Sequence, residues 1–80
     1  MTRVTVLYFA SLREASGIAT EQVDSEATDL LALYLELQQR HGFKLPANRL
    51  RVAMEGEFAQ WGDSLRDGSE IAFIPPVSGG

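Results

Sequence analysis

The chain contains no cysteine. No disulfide can brace it, and no side-chain thiol is there to form a thioester or a persulfide. It has a single histidine, His41, and without cysteine that excludes a metal site built from those two ligand types. No apolar run approaches the roughly 18 residues of a membrane helix, and no basic segment followed by a long apolar one opens the chain. A soluble cytoplasmic protein is expected. Positive charge is scarce too: seven Lys and Arg against eleven Asp and Glu leave a net charge of −4, the wrong balance for gripping a phosphate backbone. Arg40, Lys44, Arg49 and Arg51 stand near one another in sequence, but a solvated, mixed-charge surface accounts for them. No nucleic-acid partner is expected.

What is present fits one small domain of 80 residues. A chain of this size buries only about 60–65% of the surface its unfolded state exposes, so its stability margin is thin. Residues 3–9 are rich in β-formers and predict a first strand, with Val4, Val6 and Tyr8 on one face and Thr5, Leu7 and Phe9 on the other. That strand is apolar on both sides toward its end, unlike a sheet with one wet face. Residues 10–17 predict a short helix stopped by Gly17, and residues 20–24 a polar edge strand. Thr28 is the expected N-cap of the main helix, with Asp29 in its first turn. Leu30, Leu33, Tyr34 and Leu37 follow helical spacing, Leu31 and Leu35 widen the stripe, and Gly42 supplies the stop. Arg40 and His41 suit the negative C-terminal end of that helix, and His41 needs no catalytic role to explain it. Beyond a connection broken by Pro46, residues 50–54 and 57–60 predict two strands around a Glu55-Gly56 turn. Residues 61–69 are turn-rich, with Leu65 tucked inward and Trp61 a lid on the core, and residues 70–74 form the last strand.

One helix on one face of a small mixed sheet of four to five strands is an α+β arrangement of two layers. It leaves the second sheet face uncovered. Leu7, Phe9, Phe58 and Ile74 fall there by strand phase, and an apolar patch on so small a domain points to a partner.

After the last strand comes Pro75-Pro76-Val77-Ser78-Gly79-Gly80. Two prolines end the ladder and hold the chain extended. Two glycines, lacking Cβ atoms, can thread a channel too narrow for other residues. With Gly80 last, its α-carboxylate is the most reachable reactive group. A frayed end is the bland alternative, but strand, double proline and Gly-Gly together favour a working tail. At about 3.3 Å per residue the arm reaches roughly 20 Å into a neighbour. The tail holds no acid, base or metal ligand of its own, and Ser78 is a small spacer, so catalytic groups have to come from that neighbour.

Val6-Leu7-Tyr8-Phe9-Ala10-Ser11-Leu12-Arg13-Glu14, Leu65-Arg66-Asp67-Gly68-Ser69-Glu70-Ile71-Ala72-Phe73 and the Pro-Pro-Val-Ser-Gly-Gly end together resemble the small subunits of molybdopterin synthase, the MoaD group of the MoaD/ThiS ubiquitin-like sulfur carriers. The likeness runs from the first strand to the last residue. It departs at Glu55, where the family often has Asn, and at Ser69, where an acidic residue is common. The resemblance implies a β-grasp domain over residues 1–74, with strands one and five parallel at the sheet centre, and a flexible tail over residues 75–80. It implies that an adenylating enzyme of the ubiquitin-activating type uses MgATP to make an acyl-adenylate at Gly80. A sulfurtransferase system then converts this to a thiocarboxylate. Pro75, Pro76, Val77, Ser78 and Gly79 carry it into the large synthase subunit of a heterotetramer, where sulfur passes to cyclic pyranopterin monophosphate and builds the molybdopterin dithiolene. No permanently bound cofactor and no metal are implied. Phe9, Phe58 and Ile74 are candidate anchors for the partner. A carrier for thiazole or cysteine synthesis, a ubiquitin-like protein modifier, and a plain interaction domain remain the alternatives.

Overall fold

The computed structural model describes residues 1–76 of the chain. The first strand, β1 (Thr2–Tyr8), leads into a short helix, α1 (Ala10–Ser16), then β2 (Thr20–Ser25) and the main helix α2 (Leu30–His41). A 3-10 turn at Ala47–Arg49 precedes β3 (Arg51–Met54), β4 (Glu57–Phe58) and β5 (Glu70–Ile74). The five strands form one sheet in the order β2-β1-β5-β3-β4. Strand β5 occupies the middle, parallel to β1 and antiparallel to β3.

Period-two alternation decides which side chains meet the helix. Val4, Val6 and Tyr8 of β1, Val23 of β2, Val52 of β3, and Ile71 and Phe73 of β5 are all buried on the same face. Against them α2 lays Leu30, Leu33, Tyr34 and Leu37, all fully buried. Tyr34 is the hub: its ring lies 5.2 Å from Phe73, 5.8 Å from Trp61 and 6.1 Å from Phe43, centroid to centroid. Its hydroxyl donates to the Leu45 carbonyl at 2.6 Å, so the buried phenol is satisfied where the chain leaves the helix. Trp61 stacks on Phe73 at 5.9 Å, which makes it the expected lid.

Several expectations need correction. The N-cap of α2 is Asp29, not Thr28: Asp29 is extended (φ −137°, ψ 174°) and its Oδ1 accepts from the Ala32 N–H at 2.8 Å. The reason lies in the 64–65 loop, which holds the Thr28 carbonyl through Leu65 N–H and bridges Ser64 to Asp29. The helix therefore starts one residue later. Leu31 and Leu35 do not widen the buried stripe; they are 38% and 48% exposed, because nothing packs on the far side of the helix in a fold of two layers. Strand β4 is shorter than 57–60, since Gln60 N–H bonds the Asp63 carboxylate and Asp63 N–H bonds the Gln60 carbonyl, turning the chain away. Leu50 belongs to the end of the 3-10 turn, donating to the Ala47 carbonyl, so β3 begins at Arg51. Phe9 lies just beyond β1 as the cap of α1. The edge position of β2 and the bounds of β5 agree with expectation.

Candidate functional site

The site is built on the end of β5. Because β5 is flanked on both sides, the point at which the chain leaves the sheet is fixed by two ladders at once. Arg51 pairs with Ile74 across β3–β5, and Tyr8 with Phe73 across β1–β5. Pro75 is buried and Pro76 exposed, so the first proline still belongs to the domain and the second is the first exposed step out of it. A groove of about 320 Å³ runs beside this exit, lined by Asn48, Arg49, Leu50, Arg51, Ile74, Pro75 and Pro76. Residues 77–80, including Val77, Ser78, Gly79 and the expected reactive Gly80, lie outside the described residues.

The second sheet face carries the proposed anchors. Register aligns Leu7, Ala72, Ala53 and Phe58 in one row across β1, β5, β3 and β4. One step toward the tail exit stand Ile74 and Arg51, and Phe9 follows one residue beyond the last β1–β5 pair. Phe9, Phe58 and Ile74 therefore share this face. Phe58 is 69% exposed and Phe9 45%, while Ile74 is half-buried. Sequence reasoning missed Arg51 here. Its guanidinium carbon sits 5.4 Å from the Phe58 ring centroid, close enough for a cation–π contact that holds the aromatic in place. The signal available was its phase: Arg51 shares the outward parity of Ala53.

On the core side of the same end, a polar cluster ties α2 to the sheet. Glu21 Oε1 accepts from the Tyr8 hydroxyl at 2.7 Å and meets His41 Nε2 at 2.9 Å, while Arg40 reaches Glu21 Oε2 at 3.4 Å. Burial, followed by the bond to Glu21, pushes the Tyr8 phenol well above its usual range, so it stays protonated as a donor. Burial alone would raise the Glu21 carboxyl, but the bonds from Tyr8 and His41 and the nearby charges outweigh it and hold Glu21 below its ordinary value. His41 is thus a structural partner of Glu21 as well as a helix-end group. Among the described residues no group of three or more His, Cys, Asp or Glu is placed to hold a metal ion. No helix among them is long and apolar enough to cross a membrane.

Known proteins are similar to this chain in sequence and in fold. The model of the ThiS family matches residues 6–80. A molybdopterin synthase sulfur carrier subunit from Homo sapiens is 36% identical over 85 residues, spanning 100% of this chain and 97% of the human protein. A solved structure described as molybdopterin converting factor subunit 1 from Pyrococcus furiosus superposes with a TM-score of 0.81 at 28% identity, over 96% of this chain and 100% of that one. In a complex of subunits 1 and 2 of molybdopterin-converting factor from Helicobacter pylori, a chain 26% identical superposes with a TM-score of 0.68, covering 99% of this chain and 100% of that one. The fold is the β-grasp expected from the resemblance. With its mixed five-stranded sheet, central last strand and full-length likeness to sulfur carrier subunits, this chain belongs to the ThiS family.

Proposed function

We propose that this protein is the sulfur-carrying small subunit of a molybdopterin synthase. The observation that carries the reading is the central β5, paired on both sides, which hands the chain on at a buried Pro75 and an exposed Pro76 immediately before the Val77-Ser78-Gly79-Gly80 sequence. The body contributes position; the chemistry belongs to the Gly80 carboxylate. A carboxylate is a poor acyl donor. An adenylating enzyme with MgATP supplies a leaving group by forming the acyl-adenylate and releasing pyrophosphate. Sulfide-level sulfur (HS−) supplied through a sulfurtransferase then attacks the acyl carbon, the new C–S bond forming as the C–O bond to AMP breaks. The resulting thiocarboxylate is a sulfur nucleophile that needs no cysteine, in keeping with a chain that has none. Pro75, Pro76, Val77, Ser78 and Gly79 thread it into the large subunit, where it passes sulfur to cyclic pyranopterin monophosphate. Two deliveries complete one dithiolene.

Docking uses the outer sheet face, with Phe9, Phe58 and Ile74 as anchors beside the exit. The catalytic acids and bases are the large subunit's, within a heterotetramer. The test is direct: thiocarboxylated protein, mixed with a large subunit and the pyranopterin precursor, yields dithiolene. The chain lacking Gly80 docks and yields none. Dithiolene from the truncated chain would refute the mechanism.

A further inference from the structure

Charge on this chain is sorted along the strands. Register puts Tyr8, Arg51 and Ile74 at one end of the sheet, the end from which the tail leaves. Helix α2 finishes there too, with the His41 ring 5.6 Å from that of Tyr8. Around this pole stand Arg13 on α1, Arg40 and Lys44 at and after the end of α2, and Arg49 and Arg51 beside the exit groove, five of the seven Lys and Arg in the chain. Against them stand two acids, Glu14 on α1 and Glu21, the latter paired with Arg40 and His41. Lys44 and α1 line one shared apolar cleft of about 210 Å³, so the cations come from neighbouring segments. The opposite pole gathers acids: Glu26, Glu55, Glu57, Asp63, Asp67 and Glu70 sit at or beyond the far strand ends and the start of α2. Arg13, Lys44, Arg49 and Arg51 make no ion pair among the described residues, whereas Arg3 is paired with Asp24 at the far pole.

A strand of five residues spans about 17 Å, roughly twice the screening length at physiological salt. A partner approaching the exit therefore feels the cationic pole and little of the net −4. We propose that this pole is an electrostatic collar that seats against a carboxylate-rich rim around the opening where the tail-receiving protein takes in residues 77–80. The inference rests on the carrier reading and names the chemistry of the surface that reading requires. A protein rim fits better than a polyanion. Arg51 lies over the exposed Phe58 ring, so charge is continuous with the apolar docking face. A long phosphate backbone would also have to cross the acidic flank.

The collar is tested by the association rate with the large subunit of the same organism, followed by stopped flow from about 25 mM to about 400 mM salt. Wild-type association slows by at least about tenfold across that range, as steered encounters do. R49E/R51E, and independently R13E/K44E on other segments, associate at least about tenfold more slowly than wild type at low salt and lose most of the salt dependence. E55K/E57K at the far pole associates at the wild-type rate. Circular dichroism melts confine the comparison to folded variants. Salt-independent wild-type binding, or charge-reversed pairs that associate at wild-type speed, overturn the collar and leave the carrier reading standing. A wild-type chain that binds no large subunit at any salt overturns the carrier reading and the collar with it. Binding of a 20-nucleotide oligo-dT that is lost in R49E/R51E replaces the acidic protein rim with a polyanion and overturns the proposal.

Discussion

Glu55 sits at φ +55° beside Gly56 at φ +80°, the two central places of the turn that joins β3 to β4. Both demand the left-handed region, which suits glycine and is tolerated by Asn far better than by Glu. Glu55→Asn therefore raises stability by about 0.5–1 kcal/mol, read as a higher urea midpoint with an unchanged slope. Glu21 gives a second residue-scale prediction. Its carboxyl is held below the ordinary 4.5 in the folded chain, so it contributes stability above the unfolded value that is lost as pH falls through the folded one. The thermal midpoint of the wild type drops below about pH 4.5, and Glu21→Gln shows a shallower acid slope with a lower midpoint at pH 7. The Glu55-Gly56 turn was legible from sequence because turn chemistry is local. The Tyr8–Glu21–His41 cluster was not, because its members come from two strands and a helix whose docking no spacing rule sets.

At the scale of elements, α2 shows where local rules stop. Its buried stripe of Leu30, Leu33, Tyr34 and Leu37 was readable from 3.6-residue periodicity, and Gly42, at φ +72°, was readable as its stop. Thr28 and Asp29 are both good caps, and only the 64–65 loop decides between them. Asp29→Ala should cost about 1 kcal/mol in chemical denaturation and Thr28→Ala only a few tenths. Equal losses from the two substitutions would contradict the observed cap. Leu31 and Leu35 misled for a related reason: composition shows apolar residues on a helix, but the number of layers around it decides how wide a face is buried.

For the whole molecule, Phe58→Asp separates docking from folding. The side chain is two-thirds exposed, so its replacement leaves the thermal midpoint within a few degrees while weakening affinity for a large subunit by at least about tenfold in calorimetry. Unchanged affinity would remove Phe58 from the interface. The architecture was legible from the order of strands and one helix together with the family likeness. The polarity of charge along the sheet was not, because Arg13, Lys44, Arg49 and Arg51 come to the same end of the fold only once β1 and β5 run parallel and β3 runs against them.

The central place of β5 also governs how the body answers a pull. If, on the carrier reading, a partner holds the end of the chain while thermal motion tugs the domain backward, the load runs along β5. Its hydrogen bonds, slanted to the parallel β1 and perpendicular to the antiparallel β3, share that load across two ladders, whereas a terminus on an edge strand would have only one. The terminus thus continues from a strand held by two ladders, and on the carrier reading a domain drawn back from its partner would have both ladders to resist unfolding.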